Sequence, residues 1–194
     1  ESCGRKGVKG IVVITAGFKE VGEEGAVFEA EVREIVRRYG MRMIGPNCMG
    51  LMNAHHNLCA TTGVVMGTVE RLPVGGIGLA SQSGALMGAM ISRGVDIGAG
   101  FSSMISVGNQ ADLGLNDFFE YLIDDPKTEV ISLYMEGVVD APRFTELLAL
   151  PSTGPLAQKQ REYVEHIGSS SSVLLTIVND ILDLERLQKG KLEL

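Results

Sequence analysis

The chain has 194 residues, of which 45% are hydrophobic and 21% charged, and its net charge is −7. This balance is typical of a folded globular protein and argues against global disorder. The excess of acidic residues disfavours a nucleic-acid surface, because neutralising phosphates requires clustered cations. No apolar run approaches the roughly 18 residues that span a bilayer, so we expect no membrane segment.

The chain opens on Glu1, with no charged and then apolar signal segment after it. We therefore expect it to be part of something longer and to be cytoplasmic. Cys3, Cys48 and Cys59 are odd in number and unpatterned, which favours the same reducing compartment.

Short apolar runs and amphipathic stretches alternate over the first 143 residues. Residues 11–15 are largely β-branched and predict a buried strand. Apolar residues then recur at helical spacing, at Phe28, Val32, Ile35, Val36 and Tyr39. Gly40 ends this predicted helix, and residues 41–44 predict the next strand.

A second series of elements follows. We expect strands at residues 77–80, 101–107 and 130–135, with helices at 85–93 and 115–123 between them. Because parallel strands need a crossover connection, strand–helix–strand units of this length predict a parallel sheet with helices on its faces. The predicted fold class is α/β.

The composition changes near residue 143. Residues 1–143 hold 22 of the 25 glycines and all nine methionines, whereas residues 144–194 hold three glycines and no methionine. A change in composition of this size indicates that the two parts of the chain have different origins.

The tail has the pattern of a helical hairpin. Between about residues 156 and 188 only Gly168 interrupts the helical pattern, which predicts a helix about 50 Å long. Its seam steps by three and four residues through Ile167, Ser170, Leu174, Ile177, Ile181 and Leu184. Residues 144–150 are predicted to end a preceding helix, and Pro151 and Gly154 break the chain between the two.

Two turns follow predicted strands and have residues suited to binding an anion or a substrate. Ser83 and Gly84 open a helix, where backbone N–H groups and the helix dipole favour a phosphate. The alternative is a serine N-cap in a tight turn. Asn47 and Cys48 end another strand, where open α/β sheets bind ligands. Their alternative is a Pro–Asn turn with a buried thiol.

Two further strand ends carry candidate residues. Gly108 and Asn109 could add backbone donors, or form a plain turn. Glu136 could orient a base, or be a surface carboxylate.

A metal site is not expected. His55 and His56 lie near Cys48 and Cys59 in sequence, but the spacing matches no closed four-ligand pattern. His166 lies within the predicted long helix, at a solvated or flanking position.

The motifs of residues 1–143 resemble those of ADP-forming acyl-CoA synthetases, the succinyl-CoA synthetase alpha-subunit superfamily. The matching runs come in family order: 12–20 (VVITAGFKE), 44–50 (IGPNCMG), 80–86 (ASQSGAL), 106–112 (SVGNQAD) and 133–137 (LYMEG). The resemblance implies the tail of a Rossmann-like CoA-binding domain over residues 1–70. It also implies an incomplete flavodoxin-like domain over residues 71–143.

This family converts acyl-CoA, phosphate and ADP to acid, CoA and ATP, reversibly, through a phosphohistidine. The resemblance implies phosphate-binding residues at Ser83, Gly84, Gly108 and Asn109. It places Asn47 and Cys48 near the reacting thioester, and it implies that Glu136 orients the histidine.

Three parts of the family's machinery have no counterpart in this sequence. One is the glycine-rich start of the CoA-binding domain. The family's phosphorylated histidine lies downstream of the Glu136 strand, beyond the point where the resemblance stops. The ATP-grasp partner, which would hold ADP or ATP with Mg, is also absent. We therefore expect phosphate and CoA binding, without turnover by this chain alone.

Residues 144–194 resemble the dimerisation and histidine-phosphotransfer region of a sensor histidine kinase. The matching runs are 144–148 (FTELL), 160–167 (QREYVEHI), 174–184 (LLTIVNDILDL) and 190–194 (GKLEL). That family's acceptor histidine precedes the first run by about three helical turns, where Ser132 stands here. The resemblance implies a homodimer formed through the 156–188 helix.

The sequence thus predicts an acyl-CoA synthetase-like α/β domain joined near residue 143 to a kinase-derived helical hairpin. A natural fusion, an engineered one and an artefact stay open as origins of the junction. The alternative function is an interaction module, in which the tail drives association.

Overall fold

The computed structural model of the chain describes residues 1–62 and 73–154. Residues 1–138 form one unit and a second begins at Val139. The first unit contains, in chain order, α1 (Ser2–Arg5), β1 (Gly10–Val12), α2 (Glu23–Arg38), β2 (Arg42–Ile44), β3 (Gly50–Asn53), β4 (Leu58–Thr61), β5 (Val74–Ser81), α3 (Gly84–Asp96), β6 (Phe101–Ser106), α4 (Leu115–Asp124) and β7 (Val130–Tyr134).

The N-terminal elements form a small parallel sheet crossed by one helix. β1 and β2 pair from Gly10 opposite Arg42 to Val12 opposite Ile44. The predicted strand at 11–15 is shorter than expected and only half-buried, because this sheet has two strands and limited cover. Residues 13–15 continue towards the site as extended chain.

The predicted helix is confirmed as α2. Val36 is buried and Val32 packs against the same cluster, so the predicted apolar face covers the small sheet. Gly25 and Glu29 are also buried, whereas Phe28 is 49% exposed. An added Cβ at Gly25 would lie 1.9 Å from the carbonyl oxygen of Phe18.

The main sheet has five strands in the order β4-β3-β6-β5-β7. β5 pairs in parallel with both β6 and β7, which confirms the predicted parallel core. The hairpin of β3 and β4 was not predicted; it pairs antiparallel with β6, so the sheet is mixed. These two strands have four residues each and no clear alternation, and their cross-strand pairing specifies them.

Helices cover both faces of this sheet. Met87 and Ile91 of α3 pack with Leu79 and Met104 on one face. On the other face, α4 buries its apolar side against Ala80 and Ile105, the neighbouring residues on the same two strands. This alternation of side chains along β5 and β6 gives the three-layer arrangement that the α/β prediction requires.

The second unit begins with one short helix, α5 (Ala141–Leu148). The Asp140 side chain caps it by accepting a 3.1 Å hydrogen bond from the Arg143 backbone N–H. The helix starts at Ala141 and ends at Leu148, so residues 144–148 are the end of a helix, as predicted. The predicted 156–188 helix, its seam and His166 lie outside the described residues. No helix in the described ranges has the length and apolar character needed to cross a membrane.

Candidate phosphate-binding edge

The carboxyl ends of three parallel strands share one edge of the main sheet. β5 ends at Ser81, where it pairs with Ser106 of β6 and Tyr134 of β7. The first turn of α3 begins just beyond this edge, at Ser83 and Gly84. A helix N-terminus placed here directs unpaired N–H groups and positive dipole potential to the edge.

Ser83 is the N-cap of α3. Its Oγ accepts a 3.3 Å hydrogen bond from the Leu86 backbone N–H, as the alternative interpretation of this motif proposed. The backbone N–H groups of Gly84 and Ala85 form no hydrogen bond to any of the described residues. The cap therefore satisfies one first-turn donor and leaves two available to an anion.

Gln82 ties the end of β5 to the segment after β7. Its Oε1 accepts hydrogen bonds from the backbone N–H groups of Glu136, at 2.5 Å, and Gly137, at 3.0 Å. Its Nε2 donates to the carbonyl oxygen of Gly137 at 2.6 Å. Glu136 is thus held at the edge through its backbone, with its carboxylate exposed.

The 45–49 turn packs directly under the start of α3. A Cβ added to Gly84 would lie 2.5 Å from Cγ and 2.8 Å from Sδ of Met49. The Met49 backbone N–H in turn donates a 3.0 Å hydrogen bond to Oγ of Ser106 at the end of β6. A larger residue at position 84 would have to displace the Met49 side chain, which occupies the space of a Cβ.

The turn after β6 meets the same 45–49 segment from the other side. Gly108 has φ +58°, and a Cβ there would lie 2.3 Å from the Pro46 carbonyl oxygen and 2.6 Å from that of Asn47. The Asn109 backbone N–H donates to the Pro46 carbonyl oxygen at 2.8 Å. Predicted site residues from three separate motifs thus converge at this edge.

Asn109 is clamped by two carboxylates. It is 8% exposed, and its Nδ2 donates to Glu20 Oε2 at 2.5 Å and to Glu29 Oε2 at 2.8 Å. Its Oδ1 accepts a 3.3 Å hydrogen bond from Asn47 Nδ2. Lys19 completes the cluster: its Nζ donates to the Asn109 carbonyl oxygen and lies 3.5 Å from Glu29 Oε1.

This clamp changes the role expected of Asn109. The residue was predicted to donate to a ligand, but its backbone N–H and both side-chain hydrogens are directed to groups of the protein. Its geometry is that of a residue that fixes the loops around the edge. Of the Gly108–Asn109 pair, only Gly108 has a backbone N–H without a hydrogen bond to the described residues.

The environment of Glu20 stabilises its ionised form. Burial acts to raise its pKa, but hydrogen bonds from the Asn109 side chain and from backbone N–H groups outweigh it and lower the pKa to about 2. Two of these bonds come from Gly17 at 2.6 Å and Phe18 at 3.1 Å. The carboxylate thereby holds the 17–20 turn against the main sheet.

Cys48 is held inside the 45–49 turn, not presented to a ligand. It is 5% exposed, and its Sγ donates to the Val13 carbonyl oxygen at 3.4 Å. Burial raises the pKa of its thiol above the ordinary value. A neutral buried thiol is a poor nucleophile, so the residue contributes packing to the edge.

Sequence reasoning assigned no role to Lys19, Glu20, Glu29 or Gln82. Lys19, Glu20 and Gln82 lie inside the runs that carried the family resemblance. Glu29 had a signal of its own, because it lies three residues before Val32 and seven before Val36, on one helical face. A carboxylate on an apolar helical face indicates a buried polar partner.

His55 and His56 lie away from this edge. His55 Nε2 is 3.1 Å from the Gly75 carbonyl oxygen, and the His56 backbone N–H donates to Asn53 in the β3–β4 turn. Within residues 1–62 and 73–154, no three His, Cys, Asp or Glu side chains form a group that could hold a metal ion.

The three parallel strands of the main sheet lie within a region that matches a known family. Residues 74–152 match the family described as succinyl-CoA ligase like flavodoxin domain. The match covers β5 to α5 and includes the Ser83 and Gly108 turns. Residues 144–190 match a second family, the His Kinase A (phospho-acceptor) domain.

Curated relatives specify the class further. The alpha subunit of ADP-forming acetate–CoA ligase II from Pyrococcus furiosus is 50% identical over 145 residues, which are 75% of this chain and 30% of that protein. ADP-forming acetate–CoA ligase from Methanocaldococcus jannaschii is 46% identical over 72% of this chain and 19% of that protein. The chain thus spans less than a third of the length of these two relatives.

Two solved structures of similar proteins match the same share of this chain. A protein from Pyrococcus horikoshii matches with a TM-score of 0.69 and 47% identity, over 75% of this chain and 32% of that one. The dinucleotide forming acetyl-coenzyme A synthetase 1 of Ca. Korarchaeum cryptofilum, in complex with phosphate and ADP, matches with a TM-score of 0.68 and 40% identity over 75% and 30%. The predicted resemblance to ADP-forming acyl-CoA synthetases is confirmed.

The tail has a shorter match. Hybrid signal transduction histidine kinase L of Dictyostelium discoideum is 51% identical over 39 residues, which are 20% of this chain and 2% of that protein. The resemblance of residues 144–194 to a histidine kinase therefore has support over a small part of the chain.

Proposed function

We propose that residues 1–143 are the phosphate- and CoA-handling part of an ADP-forming acyl-CoA synthetase. The observation that carries the proposal is the convergence of the 45–49, 81–84 and 108–109 turns at one sheet edge. Gly84 lies against Met49 there, and Gly108 against Pro46. The ligase relatives add independent support, since the same motifs carry that similarity.

In this proposal the phosphoryl group is held by backbone donors. The N–H groups of Gly84 and Ala85 at the start of α3, with that of Gly108, supply the anion site. Ser83 keeps the first turn of α3 in place as its N-cap. Asn47 and Cys48 lie near the reacting thioester. Glu136 faces the histidine that carries the phosphoryl group in the full reaction.

In this proposal, turnover of the full reaction depends on two groups outside this chain. An ATP-grasp domain or subunit would bind ADP or ATP with Mg, and a histidine would carry the phosphoryl group between the sites. The chain would act in the cytoplasm, a placement supported by Cys3, Cys48 and Cys59, which form no disulfide. The domain limits at 70 and 143 are part of the same proposal.

The test separates anion binding from capping. Ser83→Asp keeps an N-cap oxygen for Leu86 but adds a negative charge where the phosphate would bind. We expect Ser83→Asp to abolish the binding of inorganic phosphate in isothermal titration calorimetry of the full chain. Ser83→Asn, a neutral cap of the same size, is the matched control and should retain binding. Equal phosphate binding by the two variants would overturn the proposal.

A second variant tests the geometry of the turn. Gly84→Val forces a β-branched side chain against Met49, so it should weaken both phosphate and CoA binding. Gly137→Ala is the control, because a Cβ at Gly137 meets nothing within 4 Å. Circular dichroism of each variant verifies that the helices are retained.

A second function is favoured by the match of residues 144–190 to the phospho-acceptor domain. In this second function, the tail is an association module that forms homodimers through the 156–188 helix. Leu174→Glu with Ile181→Glu should convert a dimer to a monomer in light scattering, because each charge would enter an apolar seam. An unchanged mass would exclude the seam as an interface.

A further inference from the structure

A cavity lies beside the β3–β4 hairpin, apart from the phosphate-binding edge. We propose that this hairpin cavity, lined by Leu51, Asn53, Leu58, Ser103, Phe118 and Tyr121 among others, binds a small, uncharged, mainly apolar molecule that has one hydrogen-bond acceptor. Its volume is about 430 Å³, within the range of small-molecule sites of roughly 300–1,000 Å³.

The cavity forms because the β3–β4 hairpin extends one face of the main sheet beyond the part that α4 covers. α4 packs over Ala80 and Ile105 of the central strands. The hairpin extends the same sheet face beyond α4, by pairing β3 with β6. Leu51 and Leu58 on the hairpin therefore face Phe118 and Tyr121 on the helix across open space. The hydroxyl of Tyr121 lies 3.5 Å from Asn53 Nδ2, so its ring bridges the rim from helix to hairpin.

A buried hydroxyl gives this cavity its polarity. Ser103 is 2% exposed and lines the cavity, directly opposite Asn53 in the strand register. Its Oγ accepts a 2.9 Å hydrogen bond from Asn53 Nδ2. No acceptor for the Ser103 hydroxyl hydrogen is found in the described part of the chain. Because a buried donor without an acceptor is unfavourable, a ligand carbonyl or ether oxygen would complete this site.

The lining of the cavity disfavours an anion. Asp117 lines it, and its carboxylate already accepts a 2.7 Å hydrogen bond from the Gly114 backbone N–H. His56 is the titratable group on the hairpin side, and it is exposed. A carboxylate ligand would lie next to Asp117 within a largely apolar wall. The carboxylate and the apolar wall therefore favour a neutral ligand, such as an aromatic or aliphatic ketone.

The cavity is distinct from the phosphate-binding edge. Ser103 lies three residues before the end of β6, whereas the edge begins at Ser106. The Asn53 end of the hairpin pairs with Ser103, and its Gly50 end pairs with Ser106. Binding here therefore tests a property that does not depend on the proposed ligase function.

The experiment uses three probes of similar size and nitrogen-15 NMR of the full chain. Acetophenone has an apolar ring and one acceptor, α-methylstyrene has the same shape without an acceptor, and benzoate adds a charge. We expect acetophenone to shift the backbone amides of Leu51, Asn53 and Leu58 saturably. It should bind about fivefold more tightly than α-methylstyrene, the typical effect of one hydrogen bond. Benzoate should produce no saturable shift.

Variants test the role of the hydroxyl. Ser103→Ala should reduce acetophenone affinity to that of α-methylstyrene. Ser102→Ala is the matched control, because Ser102 is equally buried on the same strand, does not line the cavity, and has its hydroxyl 2.7 Å from that of Thr128. Leu58→Trp, which enlarges a half-exposed side chain at the cavity wall, should abolish binding of both neutral probes.

Three results would overturn the proposal. One is the absence of a saturable shift with either neutral probe in the wild-type chain. Another is equal affinity for acetophenone and α-methylstyrene. The last is an equal loss of affinity in Ser102→Ala and Ser103→Ala. The first two need no variant, so they hold even if a substitution prevents folding.

Discussion

The side-chain amide of Asn109 donates a 2.8 Å hydrogen bond to the carboxylate of Glu29, a residue 80 positions earlier in the chain. Both residues are at least nine-tenths buried. Glu29 belongs to the helix over the small sheet, and Asn109 to the turn after β6 of the main sheet. The bond therefore joins the two sheets at the point where the candidate site forms.

This relationship predicts a large loss of stability in Glu29→Ala. The substitution leaves the buried Asn109 amide with one carboxylate and removes the acidic partner of Lys19. We expect the free energy of unfolding to fall by about 2 kcal/mol. Glu31→Ala, on the exposed side of the same helix, should change it by less than about 0.5 kcal/mol. Urea denaturation compares the two, and equal losses would contradict a role for the clamp.

The pH dependence of stability should contain a contribution from Glu20. Its pKa is about 2 in the folded chain, against an ordinary value of 4.5. A lowered folded pKa stabilises the protein above the unfolded pKa, and this stabilisation is lost as pH falls from about 4.5 towards 2. Glu20→Gln should flatten that part of the profile in urea denaturation at stepped pH. Glu31→Gln removes a carboxylate without removing a bond to Asn109, and should leave the profile as in the wild type.

A comparison of two glycines isolates the contact between turns. Gly98 and Gly108 both have positive φ, of +76° and +58°, but only at Gly108 would a Cβ meet backbone atoms of residues 46 and 47. We expect Gly98→Ala to cost about 1 kcal/mol, from backbone strain alone. Gly108→Ala should cost at least about 2 kcal/mol, because the strain is joined by displacement of the 45–49 turn. Thermal denaturation distinguishes them, and similar costs would show that the turns separate easily.

The three cysteines should differ in reactivity. Cys3 and Cys59 are exposed, while Cys48 is buried and its pKa is raised by burial. In iodoacetamide at pH 8, mass spectrometry should show two alkylations rapidly and the third only after denaturant is added. Rapid alkylation of Cys48 in the native chain would mean that the 45–49 turn opens readily.

Much of the architecture followed from local pattern. The helices α3 and α4 and the strands β5 to β7 are where periodicity predicted them, because each has an apolar face of the right period bounded by glycine or polar residues. The hairpin of β3 and β4 was missed, since strands of four residues depend on pairing with β6 rather than on their own pattern. Phe28 belongs to the predicted apolar series of α2 but is 49% exposed, because helical spacing does not set the burial of each single position.

Some residues of the candidate site could likewise be predicted from the sequence, and others could not. Ser83, Gly84 and Gly108 could be identified from the sequence, since glycine and a capping serine after a strand have a local physical meaning. The clamp of Glu20 and Glu29 on Asn109 could not, because its members come from three segments whose proximity no local pattern records.

By itself the sequence determined the α/β class, the parallel core and the turns that resemble those of acyl-CoA synthetases, because these depend on periodicity and on residue types within a few positions. The tertiary structure decided which carboxylates are buried, that the Asn109 side chain is bonded to two of them, and that a cavity lies beside the hairpin. These properties depend on contacts between segments tens of residues apart, and the packing of the two sheets brings those segments together.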